Sequence, residues 1–497
     1  MIKQLLLFLS FVLTLSYSHK VTGQWDYLLS IPEYYYNNIG LTELQNGYVA
    51  SIGWRGIPPY GYFAEDYYLS VVDTGGQEVF TKIFAEELFI LKVLPADSGM
   101  YVVGFQEIDS LDNREVYVSK IDYDNQIVWE STYGHFDLGK PIEALVFPDQ
   151  KIGLFFTEKN PIDDGVDSIC FKQLSPDGTT LSVVTVEASG EFDAYRSIAL
   201  AEDGNLLVTG DLNDSLYLQK IDLEGSEIWK KVFFDSWGFK GRKVTTTQDG
   251  KIIVMGWILN GSGLGGGALH KTALLKTDSE GDLLWQHQYL AGASTSAYDF
   301  CETDDGGFVM IGDFDNDDFG GEGIFKLKTN SEGEEEWKKR TEDLEQLEQF
   351  NEGVSFLDAR NIIQTKDGNL VMATNVRVVN PPIVGKSLYL LKTAIDCGGT
   401  IGTADLKNPP IVSNITLSPI PASSLLTIEV VLTTKTRLSI EIINSAGQIT
   451  NTIRTNERLA KGIHHFKTDV SGMQSGYYQL RVCTPTESQI KSFIKTD

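Results

Sequence analysis

Cysteine and histidine are both scarce in this chain: four cysteines in 497 residues cannot staple a scaffold of this size, and there are six histidines. None of the histidines, His19, His135, His270, His287, His464 or His465, sits in the H-E-x-x-H spacing that turns two imidazoles toward zinc on one helix face. A G-x-S-x-G nucleophile elbow is missing, and so is a phosphate loop ending in Gly-Lys-Ser/Thr. The glycine-rich run Gly261–Gly267 joins two strand signals and opens no helix, so it reads as a flexible connection and not as a nucleotide cradle. Basic residues are in deficit: 41 Lys+Arg against 68 Asp+Glu gives −27, which excludes nucleic acid and anionic membrane surfaces as natural partners. Beyond the first residues no apolar run is long enough to cross a bilayer, so no transmembrane anchor is expected. Cys170, Cys301, Cys397 and Cys483 are expected to be isolated, buried small residues.

The first residues carry an address. Lys3 followed by the apolar run Leu5–Leu15 has the form of a secretory signal peptide, with Gly23 as the preferred last residue before cleavage, so residues 1–23 are expected to be removed. The negative charge is uneven. Residues 411–497 hold nine Lys/Arg and six Asp/Glu, a net of +3, which leaves −30 for residues 1–410. Two units with different surfaces follow.

The larger unit is repetitive. A tight turn recurs as Asn46-Gly47, Ser98-Gly99, Asp149-Gln150, Asp203-Gly204, Asp249-Gly250, Asp305-Gly306 and Asp367-Gly368, spaced 46 to 62 residues apart. An apolar run ending in glycine follows most of them, at Gly53, Gly104, Gly210, Gly256 and Gly312. Third strands are expected at Tyr68–Val72, Val116–Ile121, Ile169–Leu174, Leu216–Ile221, Ala273–Thr277, Ile324–Thr329 and Leu388–Thr393, and fourth strands carry Phe80, Trp129, Trp229, Trp285 and Trp337. Four strands per unit at this period predict an all-β chain built on a seven-bladed β-propeller over residues 24–400. The seventh repeat lacks a fourth strand, and residues 24–30, with Trp25, are predicted to supply it and close the ring, burying that tryptophan. The pattern turn-Gly, V-x-x-G, L-x-K-x-D-x-x-G-x-x-x-W resembles the propeller repeats of large secreted bacterial proteins. Repeat three departs from it, with Gln150 in the glycine position and no terminal tryptophan. That resemblance implies a fold and no chemistry.

Residues 401–413 read as a Gly/Thr/Pro linker. Beyond it, strands are expected at Leu425–Leu432, Leu438–Asn444, Gln448–Thr455, Gly462–Asp469, Gly476–Val482 and Gln489–Lys495, the spacing of a small Ig-like β-sandwich over residues 414–497. The segments L-S-P-I-P-A-S-S-L-L-T-I, L-S-I-E-I-I-N-S-A-G-Q-I, D-V-S-G-M-Q-S-G-Y-Y-Q-L-R-V and K-S-F-I-K resemble a type A sorting domain of the type IX secretion system, with Pro419-Ile420-Pro421 where the family usually has Pro-Asn-Pro. The resemblance implies handling by that machinery in a Gram-negative bacterium, and a passenger that is released or held on the outer face of the outer membrane.

The repeat plan also places the site. The first-to-second and third-to-fourth turns share one end of the sheets and are tight. The second-to-third loops, residues 54–66, 105–114, 157–167, 257–271, 313–322 and 375–386, share the other end and are long, and loops of this kind carry function. They and the blade connections hold Trp54, Arg55, Tyr60, Tyr62, Phe63, Trp237, Trp257 and Phe319, with carboxylates such as Asp193 and Asp211 nearby. Trp54, Arg55, Tyr60, Tyr62, Asp193 and Trp257 are the expected contacts for a carbohydrate or protein ligand. Asp313, Asp315 and Asp317 imitate a calcium loop with alternate oxygen donors, but Asp318 and Ile324 stand where an EF-hand needs Gly and Glu; a solvated acidic loop is the expectation, no cofactor is called for, and calcium is the one ion these carboxylates would take. No catalytic residues are nominated. A binding or adhesion scaffold is favoured over its rival, a secreted polysaccharide- or peptide-degrading enzyme, because a convergent carboxylate pair or a partnered His is not visible in the sequence.

Overall fold

The computed structural model describes residues 25–29, 35–56, 66–109, 113–136, 141–158, 168–186, 195–234, 238–262, 268–316, 321–340, 354–378, 386–394, 412–444, 449–484 and 488–496. The signal segment 1–23, most of the 401–413 linker, and Tyr60, Tyr62, Phe63, Asp193, Trp237, Asp317 and Phe319 lie outside them.

Every described regular element is a strand, and residues 25–394 form repeated four-stranded antiparallel sheets of a propeller-like kind. Sheet 1 is Tyr35–Glu43, Val49–Gly56, Asp66–Val72 and Glu78–Ile83; sheet 2 is Leu88–Ala96, Gly99–Asp109, Asn113–Ile121 and Ile127–His135. Sheet 3 is Ile142–Val146, Ile152–Glu158, Ser168–Leu174 and Thr180–Val186; sheet 4 is Tyr195–Leu200, Leu206–Leu212, Ser215–Ile221 and Glu227–Phe233. Sheet 5 is Phe239–Thr246, Ile252–Ser262, Ala268–Thr277 and Leu283–Tyr289; sheet 6 is Ser294–Glu302, Phe308–Asn316, Gly321–Thr329 and Glu335–Arg340. Sheet 7 takes Val354–Gln364, Asn369–Val378 and Lys386–Ala394 from its own repeat. Its fourth strand is Trp25–Leu29, antiparallel to the third, with Trp25 opposite Lys392 and Leu29 opposite Leu388. Tyr27 and Leu29 are the aromatic and aliphatic residues seen buried there; the Trp25 side chain lies outside the described set.

The second and third strands are apolar on both faces because each sheet packs against two others. Side chains alternate between faces. Thus Ala50 and Ile52 join a core with Ile90 and Val102 of sheet 2, while Val49 and Val72 join one with Leu388 and Leu390 of sheet 7. Each further core is likewise shared by consecutive sheets, two and three through to six and seven. Fourth-strand tryptophans reach across the same gaps: the Trp129 indole donates to Pro176 O (3.0 Å), and the rings of Trp229 and Trp285 lie against Gly281 and Gly333 in the turns of the following sheet.

The recurring turns also hold the lysines of the L-x-K pattern. Lys120, Lys220, Lys276, Lys328 and Lys392 are buried along their stems, and their ammonium groups meet Asp97, Asp203, Asp249, Asp305 and Asp367 at 2.6–3.3 Å. Repeat three departs here as well. Gln173 occupies the lysine position, Asp149 turns to Lys151, and Gln150 adopts the left-handed backbone that glycine provides in the other turns.

Three expectations are corrected. The second-to-third loops are shorter than the sequence suggests, because the hairpin ladders continue into polar residues: Asp313 and Asp315 lie in a strand that runs to Asn316, and Trp257 in one that runs to Ser262. Backbone pairing needs no apolar side chain at the end of a hairpin, so hydrophobic patterning stops before the strand does. The tail has a strand beyond the six expected, Val412–Ser418. Cys483 is disulfide-bonded and not isolated, while Cys170 and Cys301 are free thiols, both pushed up to about 12 by burial.

The tail, residues 412–496, folds as two antiparallel sheets. One comprises Val412–Ser418, Leu425–Leu432 and Gly462–Asp469; the other comprises Thr436–Asn444, Ile449–Leu459, Gly476–Cys483 and Ser488–Lys495. Ile428, Val430 and Phe466 from the first and Leu438, Ile440, Leu480 and Phe493 from the second share one core. No helix among the described residues is long and apolar enough to cross a membrane.

Candidate functional site

The site begins with a defect repeated in the first strands. Pairing between first and second strands skips a residue at Ile39, Leu91, Arg196, Arg242, Tyr298 and Arg360. Each skip is a β-bulge, which leaves one residue unpaired and re-aims its side chain. The recurrent second-strand glycine seats it: a Cβ on Gly256 would stand 2.4 Å from Lys240 O, and one on Gly312 would stand 2.0 Å from Ser296 O. In sheets 4 to 7 the bulge residues are Arg, Arg, Tyr and Arg. Each stands four residues before the last residue of its first strand, so the four share one level along the sheets.

These side chains form a continuous polar and aromatic belt. The Arg242 guanidinium carbon stacks 3.8 Å from the centre of the Trp257 ring, and the Trp257 indole N–H donates to Ala297 O at 2.8 Å. Tyr298 meets Trp257 edge-on at 5.9 Å, and His270 lies against its other side of contact at 5.5 Å. The Arg360 guanidinium covers Tyr298 at 4.3 Å and pairs with Asp358 at 3.5 Å. Asp358 accepts from Asn375 Nδ2, whose amide oxygen in turn accepts from Asn38 N at 3.3 Å, which carries the network from sheet 7 into sheet 1. Asp299 accepts from Lys243 Nζ and from Ile362 N (2.9 Å), linking sheets 5, 6 and 7.

Electrostatics single out two groups. Asp313 is pushed up to about 7 by burial; the Arg360 cation opposes the shift and Asp358 adds to it, and Ala359 N donates to it at 3.4 Å. The phenol of Tyr298 beside it is raised to about 12, chiefly by burial and then by Asp313. Arg242 is half-buried, and burial followed by the nearby Arg196 cation weakens its hold on its proton. Arg196 reaches Asp211 at 3.8 Å and Lys240 reaches Asp214 at 3.3 Å, whereas Arg242 makes no ion pair among the described residues.

Of the contacts expected from sequence, Trp257 lies in the middle of this belt, and Asp211, noted as a nearby carboxylate, lies beside Arg196. Arg55 is engaged elsewhere, by Asp66 at 2.8 Å across its own hairpin, so it is not a free cation for a ligand. Trp54, one residue before it, is half-buried in sheet 1. Asp313 is half-buried and Asp315 exposed; among the described residues no group of three or more His, Cys, Asp or Glu could hold a metal ion. Arg242, Tyr298, Arg360 and Asp358 were not nominated from sequence, and Asp313 only as a weak calcium ligand. The signal available was a break in strict alternation, as in F-K-G-R-K-V, just ahead of each turn.

Comparison with known proteins adds one firm element. Residues 416–496 match the family described as the secretion system C-terminal sorting domain, so the tail is a sorting domain and marks the chain for the type IX machinery. No curated protein matches the chain. Many solved structures are similar to the chain, among them the polysaccharide lyase Uly1 (12% identity, TM-score 0.45, covering 72% of this chain and 90% of that one). Others are a protein of unknown function from Bacteroides caccae (12%, 0.36, 55% and 89%) and a protein from Lactobacillus plantarum (15%, 0.41, 65% and 94%). With TM-scores below 0.5, these likenesses bear on neither ligand nor chemistry.

Proposed function

We propose that this is an exported recognition protein. Residues 24–400 form a seven-bladed β-propeller closed by residues 24–30, and the loop-bearing face at Trp257, Tyr298 and Asp211 binds an extracellular carbohydrate or protein. Residues 414–497, an Ig-like sandwich, deliver the propeller to the outer face of the cell envelope after residues 1–23 are removed. The observation that carries the binding half is the belt itself: bulges repeated over four sheets present three guanidinium groups and a phenol beside one indole, on a rigid scaffold. A glycan and peptide array screened with the full secreted chain identifies ligands. Changing Trp257 to Ala is then expected to weaken binding on the order of 10- to 100-fold, the effect of a central aromatic contact, with an unshifted thermal melt. Glu224 and Glu280, exposed in third-to-fourth turns at the opposite end, serve as controls whose replacement leaves affinity unchanged. Full affinity in the Trp257 variant would remove this face as the site.

Export has its own test. A chain lacking residues 411–497, expressed in a native host and fractionated, is expected to accumulate as folded propeller in the periplasm. Normal delivery of that truncated chain would overturn the role given to the tail.

One observation favours a second reading, a polymer-cleaving enzyme: the carboxyl of Asp313, held to about 7 by burial beside Tyr298, is poised for proton transfer at neutral pH. Mass analysis of array-bound polymers after incubation separates the two, since an enzyme shortens the polymer and a binding protein leaves it intact.

A further inference from the structure

We propose that Arg242, stacked on Trp257, is the acid-recognition point of this face, and that the ligand is an acidic sugar, carrying a carboxylate or a sulfate on its ring. The inference rests on the binding reading and sharpens it. Arg242 differs from its neighbours in pairing with no carboxylate among the described residues; Asp211, which Arg196 reaches, acts on it only through space. Lys240, Lys243, Arg196 and Arg360 each reach an aspartate, at Asp214, Asp299, Asp211 and Asp358, whereas Arg242 makes no ion pair and its Nε, shut off from solvent, has no hydrogen-bond partner among the described residues.

A half-buried guanidinium that no described carboxylate pairs with directly is costly to maintain, and an incoming anion lowers that cost. The field around it is positive despite a chain charge of −27: the His270 imidazole is pulled below its ordinary range by burial and then by Arg242 and Lys240. Beyond a Debye length of about 8 Å the remaining negative charge is screened, so this local cation decides what approaches the belt.

The guanidinium carbon sits 3.8 Å over the indole centre, which holds the group in place on the ring. That position leaves its outer N–H edge for two parallel bonds to a carboxylate or sulfate. The other groups suit a sugar. Asp211, whose Oδ1 has no partner among the described residues, and Asp313 supply acceptors for hydroxyl donors, and Trp257 and Tyr298 supply apolar wall for a pyranose face. An acidic peptide would offer the anion but few hydroxyls to those carboxylates.

The test measures affinity of the full mature chain, by calorimetry, for four probes: a uronate oligosaccharide, a sulfated oligosaccharide, a neutral oligosaccharide and an acidic peptide. At least one acidic sugar is expected to bind on the order of tenfold or more tighter than the neutral one, and to weaken as salt is raised. The uronate and sulfate arms show which acid group is read. In Arg242→Gln the acidic sugar should fall to the affinity of the neutral one, while neutral binding stays the same; Arg242→Lys, which keeps the charge but not the fork, should recover only part. Should Arg242→Gln prove poorly folded, the Lys variant and the salt dependence of the wild type carry the same decision. Acidic and neutral sugars bound equally, or acidic affinity untouched in Arg242→Gln, would overturn the assignment of Arg242 while leaving the binding reading standing. Preference for the acidic peptide would overturn the sugar, and no binding by any probe would remove both.

Discussion

Removing residues 24–30 should lower the melting temperature by about 5–10 °C, far more than trimming a loose leader. The strand Trp25–Leu29 joins the two ends of the sheet series. It pairs along its length with Lys386–Ala394 in sheet 7, and its Tyr27 hydroxyl donates to Glu78 Oε2 at 2.6 Å in sheet 1 and accepts from Ser70 Oγ at 3.3 Å. Tyr27 and Leu29 are 1% and 3% exposed and pack among Tyr36, Tyr68 and Leu388. Losing two such side chains from a core costs roughly 2–5 kcal/mol each. A domain larger than 250 residues shifts by less than about 2–4 °C per kcal/mol, which gives the stated range. The truncated chain also exposes the edge of sheet 7, so concentration-dependent aggregation should accompany the shift. Tyr27→Phe separates the contributions: it keeps the ring and loses only the hydroxyl bonds, so its effect should be about 1 kcal/mol. A truncated chain with an unchanged melting curve would mean that the sheet series closes without this strand.

The repeat was legible because three of its devices are written in single residue types. Glycine at the left-handed turn positions, as at Gly204 and Gly250, fixes where each first hairpin folds back. The recurrent second-strand glycine marks where another backbone comes too close for a Cβ, and the fourth-strand tryptophan marks the contact with the next sheet's turn. Burial of both sheet faces gives the apolar runs that locate second and third strands.

The belt was less legible for a physical reason. A bulge changes the direction of one side chain without changing composition, so Arg242, Tyr298 and Arg360 look like ordinary residues of inner strands until the pairing is known. Trp257 could be found because it directly follows the recurrent glycine Gly256, but its contacts Ala297 and Tyr298 belong to the next sheet. Reading the loops thus pointed to Trp257 and passed over the bulge residues beside it. In the tail, Val412–Ser418 was hard to read because it comes just after Pro409-Pro410 and, among its described side chains, places only Ile415 fully in the core.

Lys326→Met should make the protein more stable at neutral pH, by about 2–4 kcal/mol. In the third strands of the other sheets, the residue two before the turn lysine is apolar: Val118, Leu218, Leu274 and Leu390. Sheet 6 alone among these puts a lysine in that slot, as F-K-L-K-T. Lys326 is 2% exposed, its Nζ has no hydrogen-bond partner among the described residues, and the nearest group of note is the Trp337 ring, whose centre is 5.4 Å away. Burial pulls its pKa down from 10.5 to about 7, and the Lys339 cation adds to the shift. Between those two values the unfolded chain holds a proton that the folded chain does not, so stability rises with pH across that window and the full penalty applies below about 7. At about 1.4 kcal/mol per pH unit, the shift corresponds to roughly 5 kcal/mol, an upper bound that ring contact and local relaxation reduce. Methionine keeps the length and flexibility of the stem without the charge, and Leu would restore the residue most repeats use. Thermal melts of wild type and both variants from pH 6 to pH 10 test this: the variants should lead most below pH 7, with the gap closing toward pH 10. A Met variant that is no more stable at pH 6 than wild type, or whose advantage does not change with pH, would show that the Lys326 ammonium finds a partner in solution.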